Sequence, residues 1–392
     1  MPDRHRPMEV KALAYPHLRL DRDALDHNIA VMAAWCESRN VVLAPHVKTT
    51  MSAPIIRRQA DAGANGVTVA TVDQAGTLID WGYRNILIAN QVVDRHGLNR
   101  IHAWLTEDPT RQIRIFVDSK EGVAAAASLF GTSAVALEVL LDVGAAGGRT
   151  GLRSTSAARS VAELVCSTGG LRLVGVAGYE GVVPNSRDQE IVVAVDDHCR
   201  SVRDVYFSVA DLFDTPNPVY SMGGSAFPDR VIEFLPTDSD VPGTVRLLRS
   251  GCYVTHDHGT YAGVSPVPGL IPALAVQAVV LSAPEDGMVI VGAGKRDLPY
   301  DAGLPTVLTV RTAEGASKPD ATACVAKLFD HHAVLTGARG INVTDIVEFG
   351  ISHPCSAFDR WPEYMVTDNT GETDVWHTDF HRESIEATTS EK

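Results

Sequence analysis

The chain repeats one alternation: short apolar runs rich in β-branched residues are separated by stretches in which apolar residues recur at helical spacing. This alternation is typical of a parallel sheet, because parallel strands need a crossover, usually a helix, between them. Eight such runs occupy residues 40–47, 66–71, 85–91, 112–119, 136–144, 171–179, 218–225 and 244–253. We therefore predict a (β/α)8 barrel over residues 20–255, with functional side chains just past the carboxyl ends of its strands.

The pattern changes after about residue 262. Strand-like runs are now joined by Pro and Gly turns without helical stretches between them, as in LAVQAVVLSA (274–283) and TDIVEFGISH (344–353). Such a succession predicts a mainly β domain, which we place at residues 256–368. Residues 1–19 are a candidate addition to this domain, and residues 369–392 form a C-terminal tail.

Composition limits the kinds of binding partner and the cellular compartment that we expect. A formal net charge of −14 provides no overall basic field for nucleic acid, so a small-molecule partner is expected. The six cysteines lack paired short spacings, which favours reduced thiols. No run has the length of a membrane span, and the first residues lack the apolar segment of a secretory signal. We therefore expect a cytoplasmic protein that binds neither nucleic acid nor membrane.

The stretch APHVKTT (44–50) delivers Lys48 to the end of the first strand-like run. A lysine in this position is a candidate Schiff-base nucleophile, since burial or a neighbouring cation would free its amine to attack a carbonyl. An ordinary exposed lysine is the alternative, and the stretch alone favours that alternative.

Glycines follow the seventh and eighth runs, in SMGGSAFPD (221–229) and RSGCY (249–253). The loops after strands seven and eight of a barrel commonly bind phosphate, because glycine lets backbone N–H groups approach an anion. Glycines also simply make turns. Together with Lys48, however, the two loops supply what pyridoxal phosphate needs, an amine for its aldehyde and a cup for its phosphate.

SHPCSAFDRW (352–361) places His353 and Cys355 two residues apart, so on an extended strand they share a face. Imidazole and thiolate suit a zinc-like ion, although a histidine beside a structural cysteine is the commoner explanation of such a pair. Two protein ligands would leave open positions, as in a catalytic metal site. The other histidine pairs, which lack a second soft ligand, are His256 and His258, His331 and His332, and His377 and His381.

Several segments occur together in order: PHVKT (45–49), DVGAAGGRTG (142–151), GYEG (178–181), GGS (223–225), SGCY (250–253) and HPCSAFDRW (353–361). This set resembles the D-serine dehydratase and D-threonine aldolase family over about residues 15–368. The resemblance implies an alanine-racemase-like fold, in which a barrel that binds pyridoxal phosphate precedes a β domain, and a homodimer.

Carried over position by position, the resemblance implies that Lys48 forms the Schiff base with the cofactor and then acts as the catalytic base. His46 and Tyr179 would line the cofactor, and Arg149 would face its pyridine nitrogen. The phosphate cup would comprise Gly224, Ser225, Gly251 and Tyr253. His353 and Cys355 would bind a divalent metal, with zinc favoured by the thiolate and manganese or magnesium as alternatives.

The expected reaction is dehydration and deamination of a 3-hydroxy-D-amino acid to a 2-oxo acid and ammonia. Retro-aldol cleavage to glycine and an aldehyde is the main alternative, because the same hydroxyl can be deprotonated instead of expelled. An amino-acid racemase and a cofactor carrier without chemistry are weaker alternatives, since neither needs the metal pair. Thr50 departs from the family's Lys-Thr-His pattern, which puts the role of that histidine in doubt here.

Overall fold

The computed structural model describes residues 14–380. An N-terminal strand, β1 (His17–Asp21), leads into a parallel sheet. The eight strands of this sheet, all within the predicted runs, are β2 (Val42–Leu43), β3 (Val67–Val69), β4 (Asn85–Gln91), β5 (Gln112–Val117), β6 (Leu137–Val143), β7 (Leu171–Gly178), β8 (Val219–Met222) and β9 (Val245–Leu248).

The parallel sheet curls until its first and last strands meet. Its order is β2-β9-β8-β7-β6-β5-β4-β3, so chain neighbours are also sheet neighbours from β3 to β9. The remaining junction, between β2 and β3, has one isolated bridge between His46 and Thr68. Across it, the Asn65 N–H donates to Leu43 O at 2.8 Å and the Thr68 N–H donates to Pro45 O at 2.9 Å. The barrel therefore closes near Lys48 through a few hydrogen bonds rather than through a full ladder.

A helix precedes each barrel strand along the chain, and a short helix follows the last strand. They are α1 (Arg22–Glu37), α2 (Ala53–Asp61), α3 (Val72–Asp80), α4 (Arg95–Glu107), α5 (Lys120–Phe130), α6 (Thr155–Ser167), α7 (Gln189–Ser208), α8 (Pro228–Glu233) and α9 (Thr260–Val264). Several begin at a side-chain cap that accepts a backbone N–H of the first turn, namely Asp21, Thr71, Asp94, Ser119 and Ser154. No helix within residues 14–380 is long and apolar enough to cross a membrane.

A second sheet of nine strands follows. Its C-terminal strands are β10 (Leu274–Glu285), β11 (Met288–Val291), β12 (Thr306–Arg311), β13 (Thr322–Leu328), β14 (Ala333–Arg339), β15 (Ile346–Gly350), β16 (Glu363–Thr367) and β17 (Thr373–His377). The predicted fold class, an α/β barrel beside a mainly β region, is confirmed.

β1 also belongs to this second sheet, antiparallel to β10 and parallel to β16. The predicted tail contributes β17, on which Trp376 is buried. Residues 381–392, including His381, lie outside the described part of the chain, as do residues 1–13. The exact domain boundaries stay a prediction.

Candidate active site

The carboxyl ends of the barrel strands open into a cavity of about 280 Å³. Most of the residues predicted from the sequence line it: His46, Lys48, Arg149, Tyr179, Gly224, Ser225, Gly251 and Cys355. Lys48 lies in a single 3-10 turn, Val47–Thr49, a few residues after the end of β2. Cys355 reaches the same cavity from the second sheet, in the turn Pro354–Ser356 after β15. The candidate cofactor residues and the candidate metal ligand Cys355 therefore face one space, whereas His353 is not among the lining residues.

His46, which lines the cavity, has a ring nitrogen without a hydrogen-bond partner among the described residues. This atom, Nδ1, is buried. Burial lowers the pKa of His46 well below its usual value, and the positive charges of Lys48 and Arg249 act in the same direction. The ring is therefore neutral at physiological pH.

The glycine loops after β8 and β9 pack against each other at the cavity wall. Ser250 Oγ donates to Gly224 O at 2.6 Å, and the Cys252 N–H donates to Ser225 Oγ at 3.1 Å. A side chain at Gly251 would bring its Cβ to 2.3 Å from His46 O, so only glycine permits this approach.

Glu180, which the sequence interpretation did not single out, holds the loop after β8. It is fully buried, and its carboxylate accepts the N–H groups of Gly223 at 3.2 Å and Gly224 at 2.6 Å. Burial raises the pKa of Glu180, and these hydrogen bonds oppose the rise. The Gly224 N–H is thus already used in this structure, and its role in a phosphate cup stays a prediction.

The two arginines of the cavity differ in exposure. Arg149 is exposed, and its guanidinium lies 4.9 Å from the centre of the Tyr179 ring. Arg249, which the sequence interpretation missed, is 5% exposed and donates to Ser221 Oγ at 2.5 Å and to Gly178 O at 2.6 Å. Its position directly after β9 was the available signal. The predicted pairing of Arg149 with the pyridine nitrogen stays untested.

Tyr253 is placed differently from the other predicted residues. Its side chain does not contribute to the cavity lining. The ring is buried, and its hydroxyl accepts a hydrogen bond from Gln59 Nε2 at 2.8 Å. The side chain therefore packs behind the cavity, in the core between α1, α2 and the loop after β9.

His353 and Cys355 are joined by a third candidate metal ligand, Cys252. The ligand atoms of the three residues all lie within 4.8 Å of one another, and the two sulfurs are 3.1 Å apart. Asp301 Oδ2 lies 2.8 Å from His353 Nδ1, which leaves Nε2 as the ring nitrogen available to a metal. Ser356 Oγ in turn donates to Asp301 Oδ1 at 2.7 Å. A donor set of two sulfurs and one imidazole suits a zinc-like ion.

The pKa values of the three candidate ligands depend on one another. The contact with Cys252 lowers the pKa of Cys355 well below that of an ordinary thiol; burial opposes the shift, while His353 and Lys48 reinforce it. The pKa of Cys252 is correspondingly raised by that contact and by burial. Burial lowers the pKa of His353, but its contacts with Cys355 and Asp301 outweigh burial and raise the value to about 9. These shifts favour the thiolate form at Cys355 and the thiol form at Cys252.

The other histidine pairs form no comparable group within residues 14–380. His256 and His258 are partly or fully buried, and neither Nδ1 has a partner among the described residues. His331 and His332 are exposed on the turn between β13 and β14. The pair of His377 and His381 is not testable, because His381 lies outside the described residues.

Two family descriptions match the chain. One, "Putative serine dehydratase domain", matches residues 273–367. The other, "Alanine racemase, N-terminal domain", matches residues 20–226, which is more than half of the chain. The chain belongs to the alanine racemase N-terminal domain family. The resemblance stated from the sequence motifs is thereby confirmed.

Among curated relatives, this alanine-racemase-like chain is similar to the D-threo-3-hydroxyaspartate dehydratase of Delftia sp. (strain HT23). The two are 26% identical over 378 residues, which cover 92% of this chain and 96% of the relative. It is also 24% identical to the 3-hydroxy-D-aspartate aldolase of Paracoccus denitrificans (strain Pd 1222), over 45% of each chain. The crystal structure of D-threonine aldolase from Filomicrobium marinum has the same fold, with a TM-score of 0.77, 24% identity and coverage of 93% of this chain and 95% of that one.

Proposed function

We propose that this protein is a lyase that uses pyridoxal phosphate and a divalent metal to dehydrate and deaminate a 3-hydroxy-D-amino acid. The observation that carries the proposal is that Lys48 lines the same cavity as Cys252 and Cys355, the two sulfurs of a ligand group that His353 completes. A racemase or a cofactor carrier has no use for that ligand group. The similarity to a dehydratase and to two aldolases of hydroxy-D-amino acids supports the same substrate class.

The residues that line the cavity suit pyridoxal phosphate independently of the similar proteins. It contains one amine, in Lys48, and two guanidinium groups, in Arg149 and Arg249, which together favour an anionic ligand. Glycine loops at its wall let the backbone approach closely, and His46 Nδ1 still lacks a partner among the described residues. Lys48 would hold the cofactor aldehyde, while Ser225 and Gly251 would lie beside its phosphate.

When bound, pyridoxal phosphate supplies an electron sink for the charge that develops at the substrate α-carbon, and a divalent metal supplies a Lewis acid for the β-hydroxyl. The amine of Lys48 is the candidate base that removes the α-proton. His353 and Cys355 would hold the metal, and Asp301 would keep the imidazole in its binding orientation. Elimination of the hydroxyl followed by hydrolysis gives a 2-oxo acid and ammonia.

Retro-aldol cleavage is the second candidate, because two of the similar proteins are named as aldolases. The β-hydroxyl would then lose its proton instead of leaving as hydroxide, and the bond between the α- and β-carbons would break. Thiolate ligands favour dehydration in our proposal, since they select a softer metal than a carboxylate site does.

Product analysis with D-threonine and D-serine separates the two reactions. We expect 2-oxobutanoate from D-threonine and pyruvate from D-serine, each with an equal amount of ammonia. A chelator should stop both, and added zinc should restore them. Glycine and acetaldehyde from D-threonine would instead assign the aldolase reaction, and turnover that resists chelation would remove the metal from the proposal.

We also propose that the protein is a homodimer. Tyr300 and Leu304, which flank Asp301 in the chain, are 46% and 44% exposed although both are large and apolar. A contiguous exposed apolar patch beside a binding site is typical of a protein contact, and these two side chains are our candidates for part of one. Light scattering at micromolar concentration should give about twice the chain mass; a monomer mass would reject the dimer.

A cytoplasmic location is part of the same proposal. All six cysteines are free thiols in the structure, and two of them are candidate metal ligands that oxidation would disable. A reducing compartment preserves such thiols. Recovery of activity only from the cytoplasmic fraction of the source cells would support this location.

A further inference from the structure

The two sulfurs of the candidate metal site come from different parts of the fold. Cys252 begins the 3-10 turn Cys252–Val254 after the last barrel strand, β9. Cys355 lies in the turn Pro354–Ser356 after β15 of the second sheet. Their sulfurs are nevertheless 3.1 Å apart, and both line the cavity that holds Lys48.

We propose that Cys252 is a third protein ligand of the metal. The ion would then be bound by two thiolates and one imidazole, with a single position left for a substrate oxygen. The inference rests on the proposed metal-dependent function, and it changes the coordination expected from the His353 and Cys355 pair alone.

The separation of the sulfurs suits a shared metal better than a disulfide. Two sulfurs at about 2.3 Å from one ion in tetrahedral geometry lie about 3.8 Å apart, so Cys252 and Cys355 would separate by roughly 0.7 Å. A disulfide would instead need them to approach by about 1 Å, to a bond of about 2.05 Å. The imidazole of His353, already oriented by Asp301, lies within 4.8 Å of both sulfurs and gives the metal a third donor that a disulfide would not use.

Thr49 supports both sulfurs. Its hydroxyl lies 3.7 Å from Cys355 Sγ and 4.0 Å from Cys252 Sγ, and the residue is 1% exposed. A hydroxyl at these distances can donate a weak hydrogen bond to a thiolate and fix its direction. Since Thr49 follows Lys48 in one turn, the backbone that carries the candidate base also supports the metal ligands.

Three protein ligands have two chemical consequences. Two thiolates and an imidazole favour zinc over magnesium or manganese, which prefer oxygen ligands. A tetrahedral ion with three protein ligands also has one open position, the arrangement of a catalytic zinc site. The metal would thus bind the substrate through its β-hydroxyl alone, so a second carboxylate on the side chain is not needed as a metal ligand.

Cobalt substitution tests the ligand count without turnover. Thiolates bound to Co(II) produce near-ultraviolet charge-transfer absorption that grows with their number. We expect Cys252→Ser to lose about half of the intensity and to bind zinc at least about 10-fold more weakly, with Cys355→Ser as the reference for loss of one ligand. Cys324→Ser, which changes an exposed thiol on β13, is the matched control and should leave the absorption intensity and the zinc affinity unchanged.

X-ray absorption of the unmutated zinc protein covers the case in which Cys252→Ser fails to fold. Two sulfurs in the first coordination shell would support the inference, and one sulfur would overturn it. A Cys252–Cys355 disulfide in protein purified without reductant would overturn it as well, and intact-mass measurement after alkylation detects that bond. A two-sulfur site in a protein that consumes no hydroxy-D-amino acid would leave the inference standing and reject only the proposed function.

Discussion

The barrel end and the metal group face the same cavity but are built in different ways. On the barrel side, Lys48 and the two glycine loops each lie within a few residues of the end of a parallel strand, so their place is set by local chain order. The metal group combines Cys252, from the loop after β9, with Asp301 and the turn at His353 from the second part of the chain, and only the packing of the two sheets brings them together.

This difference suggests that the two halves can be disabled separately. A change at Lys48 should remove the cofactor and leave the metal, because the Lys48 amine is not itself a metal ligand. A change on the metal side should do the reverse. Hydrogen bonds hold the halves in register, since the N–H groups of His258 and Thr260 donate to Ile351 O and Ser352 O at 2.9 and 3.0 Å.

Lys48→Ala should have the largest effect. Removal of both the cofactor anchor and the candidate base should abolish the visible absorbance of bound cofactor and lower turnover by at least about 10³-fold. Zinc content, measured by elemental analysis, should stay at the level of the unmutated protein. Lys120→Ala, at the exposed start of α5, is the control. A Lys48→Ala protein with an unchanged visible spectrum would show that another amine binds the cofactor.

Asp301→Asn should disable the metal half more mildly. Loss of the carboxylate that orients His353 should weaken zinc binding by about 10- to 100-fold, the usual effect of removing such a partner. Cofactor absorbance should not change. Competition with a chromophoric chelator measures the affinity, and Asp286→Asn, in the exposed turn between β10 and β11, provides the control. Equal zinc affinity in both variants would mean that the imidazole needs no orienting partner.

The same comparison explains what the sequence could predict. The eight apolar runs each contain an observed strand, and Lys48, Arg149, Tyr179 and Ser225 were found because strand ends are visible in the pattern. Contacts between residues far apart in the chain leave no such signal in the sequence. Nothing local shows that Leu18 pairs with Val276 in the second sheet, or that the sulfur of Cys252 meets one 103 residues further along the chain.

Glu180 shows a different limit. It lies within the quoted stretch GYEG, but a glutamate there resembles any polar residue after a strand. Only the structure shows that its carboxylate is fully buried and bonded to the glycine loop after β8. Arg249 was missed for a similar reason, because burial of a charged group cannot be inferred from the apolar run before it.

His256 lies on the segment that joins the two halves, and it should make their shared stability depend on pH. The residue is 6% exposed, and it has a backbone φ of 47°. Burial, and then the charge of His258, lowers the pKa of His256 from 6.5 to about 4. Because the unfolded chain binds this proton more readily, the contribution to stability is complete above about pH 6.5 and is lost as the pH falls towards 4.

His256→Asn should remove that dependence. Asparagine tolerates a positive φ and does not titrate, so the fall in the free energy of unfolding between pH 8 and pH 5 should shrink by about 2 kcal/mol. Urea unfolding at saturating cofactor measures the free energy of unfolding at each pH, and His331→Asn, at an exposed histidine, should leave the pH dependence unchanged.

The number of unfolding transitions tests whether the halves are coupled. One transition that shifts as a whole would mean that barrel and second sheet unfold together, because His256 lies between them. Two transitions, of which only one responds to pH, would show that the halves are separate cooperative units. An unchanged pH dependence would show that folding does not lower the pKa of His256.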